Sequence, residues 1–312
     1  RNLSAAFVVG CAAISAVSVL PTVVAAQDVS ARHVSLYRDL MEANGTTPNI
    51  RNVMATTRAT TTQALVDRKG SPLSAEERAR LDRLFTRILG PVEEQIVDGI
   101  ARSQAFRLTE AEISQLILVD RSPAAVLYRT ERLAVPAEEA AATQSFMVEA
   151  VVSIIKVFRG DGAHTPASAP PGDADAALRQ RISLARHLLD VDGTAEITAR
   201  FIGDGHMALV SAEVGKYIEF SSLSEPDRAR LAAITAIERQ TLTERVLDQT
   251  ATRLARHLGR SDLATLIAAY DIEAQRKLTA LRLSDDGSQD AAAQQALEAA
   301  YSRIIDEFEA GT

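Results

Sequence analysis

Leu73-Ser74-Ala75-Glu76-Glu77-Arg78-Ala79-Arg80-Leu81 returns, 150 positions later, as Leu223-Ser224-Glu225-Pro226-Asp227-Arg228-Ala229-Arg230-Leu231. In each stretch a serine is followed three residues on by an acid, the spacing at which the serine oxygen accepts a backbone N–H of the first helical turn and the acid reaches back. Such a cap is worth roughly 1 kcal/mol, and Pro226 is tolerated because first-turn N–H groups have no helical partner. Each stretch therefore opens a helix. In the first, Leu81, Leu84, Phe85, Ile88, Val92, Ile96 and Ile100 follow at steps of three and four, one apolar stripe on one face. Gly90-Pro91 is expected to kink or break that helix. The second stretch keeps Leu231, Ile234, Leu242, Val246 and Leu254 with no proline among them, which predicts a straighter helix.

The correspondence extends in both directions. Upstream, Ser35, Leu36, Leu40, Gly45 and Thr46 match Ser183, Leu184, Leu188, Gly193 and Thr194 at an offset of 148. Asn44-Gly45 and Asp192-Gly193 are suited to end a helix with a left-handed residue. A second helix is expected over 48–67, capped by Thr47, with its counterpart over 195–220. Downstream, Thr109 and Glu112 form another cap, Ile113, Leu116 and Ile117 recur as Leu263, Leu266 and Ile267, and Ser122-Pro123 restarts a helix. Gln144, Ile154, Ile155 and Phe158 match Gln294, Ile304, Ile305 and Phe308, so each copy includes a fifth, C-terminal helix. The expectation is an all-α chain of two similar five-helix units from an internal duplication, over 33–158 and 181–309, with a flexible linker over 159–180.

Composition agrees. The 312 residues are 46% hydrophobic with aromatics at 4% and no Trp, which favours close-packed helices. The net charge is −7, and basic residues alternate with acids without forming a stripe, which argues against nucleic acid as a partner. Arg1, an apolar run over 3–20, Pro21 and Val24-Ala25-Ala26 read as an export leader, a signal peptide over 1–26 cleaved after Ala26, placing the mature chain in the periplasm or outside the cell. Membrane contact is then expected only through the leader before cleavage. Val8-Val9-Gly10-Cys11 loosely fits a lipoprotein site, and the run is almost long enough to span a membrane. The apolar run continues past Cys11, the sole cysteine, which a lipidation site should terminate.

Thr109, Glu110, Glu112, Ser122, Pro123 and Ala124 in the first copy, with Tyr270, Glu273, Ala274 and Lys277 in the second, supply parts of one pattern: a capped helix with paired acids, an aromatic and serine-proline turn, then another helix. In this the chain resembles the domain of unknown function 2059 family of exported bacterial helical domains, in two tandem copies. Ala125 and Gln275 stand where that family usually has glycine, and Asp120 stands where the second copy has Tyr270. The resemblance implies export and an all-helical fold, and implies no known reaction.

Chemistry-bearing patterns are sparse. Asp190-Val191-Asp192-Gly193 has the opening of a calcium loop, but Ala195 and Phe201 occupy positions where that loop needs glycine and glutamate, so a helix end is expected. Glu94 with Asp98, and Glu244 with Asp248, lie one turn apart and are placed to share a cation. With Arg102 a further turn on, a charge ladder is the simpler expectation. His33, His164, His187, His206 and His257 lack zinc spacing and have no counterparts between copies. No nucleophile elbow, phosphate loop or dinucleotide fingerprint is present. No catalytic residue, cofactor or metal site is expected. The leading functional expectation is a non-enzymatic protein that binds an envelope protein or itself, and the alternative is a carrier of an apolar small molecule, a lipid or quinone, between its helices.

Overall fold

The computed structural model describes residues 30–165, 172, 174–284 and 288–310. The expected leader, with Cys11, lies outside the described residues. Helices account for most of them, and no strand is found among the described residues. In chain order the helices are α1 (Ala31–Ala43), α2 (Thr46–Lys69), α3 (Ala75–Ala105), α4 (Glu110–Asp120), α5 (Pro123–Leu133), α6 (Ala137–Arg159), α7 (Ala176–Val191), α8 (Thr194–Phe201), α9 (Met207–Val214), α10 (Glu225–His257), α11 (Arg260–Tyr270), α12 (Glu273–Leu283) and α13 (Ser288–Glu309).

The caps behave as their chemistry requires. At the start of α3 the Glu77 backbone N–H donates to Ser74 Oγ at 3.2 Å, and the Ser74 N–H donates to Glu77 Oε2 at 2.6 Å. Lys69 adds a 2.6 Å ion pair, and this contact together with the Ser74 bonds holds the Glu77 carboxyl down at about 2. At the start of α10 the acid is one methylene shorter, and Asp227 takes the Ser224 hydroxyl at 2.6 Å while its own N–H donates to Ser224 Oγ at 3.3 Å.

Several boundaries differ from the sequence expectation, each for a local reason. α3 runs unbroken through Pro91. Gly90 has no Cβ to meet the proline ring, and that clash is what normally drives the residue before proline out of the helical region. α2 starts two residues early because the Asn44 side chain accepts from both the backbone N–H and the hydroxyl of Thr46, at 3.0 and 2.7 Å. The counterpart of α2 is not one helix: between α8 and α9 the chain widens into a π-type turn over Ile202–His206, where Gly203 and Gly205 flank Asp204. The stretch over 109–133 forms α4 and α5 with the expected restart at Ser122-Pro123, so 33–158 and 181–309 each carry more than five helical segments. The stretch expected as a linker is helical from Ala176.

The described residues divide into two compact units. The first gathers α1–α4 with the chain from Ala280 onward, which includes α13; the second gathers α5–α11 and α12 as far as Thr279. The grouping departs from the expected units, since α6 lies in 33–158 and packs on α9 and α10, while α13 lies in 181–309 and packs on α2 and α3.

In the first unit Tyr37, Leu40, Leu81, Phe85, Ile113, Leu116, Tyr301 and Ile304 are buried together. Phe85 meets Tyr301 edge to face at 6.3 Å, and the Tyr301 hydroxyl donates to the Met54 carbonyl at 2.8 Å. In the second unit Ile154, Ile202, Met207, Val210, Val214, Ile218, Ile234 and Leu242 form the core under α6.

One contact occurs in both units. Arg80 donates to the carbonyls of Glu307 and Phe308 at the end of α13, and its guanidinium lies 5.0 Å from the Phe308 ring. Arg230 donates to the Val157 carbonyl at the end of α6, 3.0 Å away, and lies 5.7 Å from the Phe158 ring. All these residues correspond at the 150-position offset. A cation at the unpaired carbonyls of a helix C-terminus is favourable, so the second arginine of the repeated motif clamps a terminal helix.

Candidate functional site

Neither acid pair stands as an open cation site. Arg38 of α1 reaches Glu94 at 2.8 Å and Asp98 at 3.6 Å, and Arg102 pairs with Asp98 as the ladder reading expected. In the second unit Arg186 of α7 pairs with Glu244 and lies 3.4 Å from Asp248. A guanidinium occupies the place a cation would take, and no group of three or more metal-ligating side chains forms among the described residues.

Asp192 is part of a helix end, with Gly193 left-handed at φ 82°. It is buried and accepts from the Thr194 N–H and hydroxyl, each at 2.8 Å, and from the Tyr128 hydroxyl, with Arg132 at 3.6 Å. Burial, reinforced by the Asp192 charge, pushes the Tyr128 phenol well above its ordinary range. A Cβ at Gly193 would lie 2.1 Å from Thr279 Oγ1, so only glycine fits there.

The histidines are scattered. His33 bonds the Leu108 carbonyl at 2.8 Å, His257 pairs with Glu131 at 3.4 Å, His206 packs against Phe201 at 4.7 Å, and His187 is exposed. His164 alone joins a cluster. Its Nδ1 lies 2.9 Å from Glu238 Oε1, which also accepts from the Ser153 hydroxyl at 2.6 Å and the Thr165 N–H at 3.1 Å. Glu238 is 1% exposed and its Oε2 has no hydrogen-bond partner. Burial pushes its carboxyl up, and the bonds from Ser153, Thr165 and His164 together outweigh that and hold it below its ordinary value. In a nucleophilic relay the imidazole stands between hydroxyl and carboxylate; here the carboxylate stands between the other two. That order ties His164 and Thr165 down onto α10 and differs from the relay, because the Ser153 hydroxyl meets the carboxylate and not the imidazole.

Beside this cluster lies an open groove of about 560 Å³ in the second unit. One wall is a single face of α10, with Arg228, Leu231, Ala232, Thr235, Ala236 and Arg239 at helical steps of three and four. The other is α9, through Met207, Ser211 and Val214, joined by Gly203 of the widened turn. Ile154 of α6, Phe220 and Leu223 complete it.

The first unit shows why the space is open. At the positions 150 residues earlier, Thr235 corresponds to Phe85 and Val151 to Tyr301, the aromatic pair that fills the first core. Arg239 corresponds to Leu89, and Glu238 to Ile88, both buried. On the opposite side Gly203 of the turn presents no side chain to the groove. In the sequence α10 shows a plain apolar stripe, and the gap in it between Ile234 and Leu242, filled by Thr235, Glu238 and Arg239, is the signal of this site.

Comparison of the chain with models of known protein families, with curated proteins and with solved structures finds no match.

Proposed function

We propose that this is an exported, non-enzymatic binding protein that carries an apolar small molecule in the groove of its second unit. The observation that carries this reading is the groove itself. Its volume lies within the ~300–1,000 Å³ usual for small-molecule sites, its walls are predominantly aliphatic, and it opens where the other unit is filled by Phe85 and Tyr301. Native mass spectrometry of purified protein tests it. A co-purifying apolar ligand that disappears in the Thr235→Phe variant is expected; a ligand-free mass for the parent, with no uptake from an added lipid and quinone panel, sinks the carrier reading.

A second reading, association with an envelope partner, is favoured by α6. This helix has a mean hydropathy of 1.4 over an 18-residue window, 17% of that window buried, with Val148 59% exposed and Val152 43% exposed. By length and composition alone it is able to cross a membrane. Its Glu149 nevertheless pairs with Arg245 at 2.7 Å, and Ser153 with Glu238, contacts that seat it in the second unit. Co-sedimentation with vesicles, lost when Val148 and Val152 become serine, is the outcome this reading requires.

We further propose that the chain is an internal duplication whose copies exchange their last helices. Support comes from the matched left-handed glycines Gly45 and Gly193, the matched arginine clasps of Arg38 and Arg186, and the matched clamps of Arg80 and Arg230. Membership in the domain of unknown function 2059 family is part of the same proposal, resting on the residues over 108–133 and 258–283.

A further inference from the structure

The groove carries more than an apolar wall. No acid lines it, and its charged lining residues are two arginines, Arg228 and Arg239. They are not equivalent. Arg228 lies 4.0 Å from Glu225 and 3.5 Å from the Ser221 carbonyl. Arg239 has no acid or carbonyl partner for its guanidinium among the described residues. Arg38, Arg80, Arg186, Arg230 and Arg245 of the same fold are all engaged. Arg239 takes the place where the first unit buries Leu89, and it is exposed at the groove. Its side chain runs past Gly203, where an added Cβ would stand in ordinary contact, 3.7 Å from both Cδ and Nη1.

We propose that the groove binds a free carboxylate with a single aliphatic chain, its tail along Leu231, Thr235 and Met207 and its carboxylate on Arg239. This rests on the carrier reading above and names the class of ligand. A guanidinium presents two parallel N–H groups that match a carboxylate fork. A phosphate dianion calls for a second cation close by, and Arg228 is three helical turns away, roughly 16 Å along α10. One chain is specified because the α10 wall is a single helix face, Leu231, Thr235 and Arg239 following one another along it.

Calorimetric titration of the full chain with decanoate and with decan-1-ol separates the outcomes. Decanoate is expected to bind about tenfold or more tightly than the alcohol, the scale of one charge-assisted contact. Arg239→Gln, a change at an exposed position, removes that preference, bringing decanoate down to the level of the alcohol. Thr235→Phe, or Ala236→Leu should the first melt early, abolishes binding of both. Equal binding of acid and alcohol, both lost in the filled variants, overturns the carboxylate proposal and leaves the carrier reading standing. Binding of neither overturns both. Failure to bind decanoate, with co-sedimentation on phosphatidylglycerol vesicles that the filled variants lose, assigns the groove to a membrane lipid and also overturns the proposal.

Discussion

Single buried groups set how this protein responds to its surroundings. Burial is the main cause that pushes the Tyr37 phenol up to about 12, with Arg282 and Arg107 pulling the other way. A raised phenol means the folded state prefers the neutral form, so its contribution is complete below pH 10 and is lost as pH climbs through 12. On the order of 2 to 3 kcal/mol is at stake. Chemical denaturation across that interval is expected to show Tyr37→Phe losing less stability than the parent; equal losses refute the assignment. Residues of this kind were only partly legible. Ser74, Glu77, Thr109 and Gly193 are local devices whose partners lie within a few positions, and the sequence pattern reveals them. Glu238, Thr235 and Arg239 draw their meaning from α6, α9 and the turn at Gly203, distant in the chain, and a periodicity scan passes over them as irregularities in an apolar stripe.

Helices were read well where propensity and packing agree, and less well where one residue modifies its neighbour. Pro91 reads as a break until Gly90 is considered beside it, and the counterpart of α2 reads as one helix until both glycines around Asp204 are counted. Pairing of helices was not legible, because apolar stripes carry no address. Arg80 and Arg230 supply part of it through the last carbonyls of α13 and α6. Substituting Arg80 by alanine is expected to speed amide exchange in α13 and leave α6 unchanged, and Arg230→Ala to do the reverse. Each loss of one charged contact and its ring stacking corresponds to about 1–3 kcal/mol. Uniform exchange increases across both helices in either variant refute the clamps.

At the scale of the whole molecule, the all-α class was evident from composition and stripes, while the compact units differ from the order of the copies along the chain. The second unit is contiguous, over 122–279, and the first is assembled from two separated pieces. Deleting 288–312 is therefore expected to expose Phe85, Leu81 and their neighbours and unfold the first unit, while the second retains its helices and melting transition. Hydrogen exchange resolved by segment checks this. Protection lost from α6 and α10 as readily as from α1–α4 argues against independent units.

The split first unit also imposes an order in time. When the chain emerges from a ribosome, α1–α4 precede α13, with Phe85 still uncovered. The second unit completes its own set of helices earlier, although it is made later. Until α13 follows, the earlier segment presents sticky apolar surface to its surroundings, so the burden of assistance from chaperones falls on α1–α4.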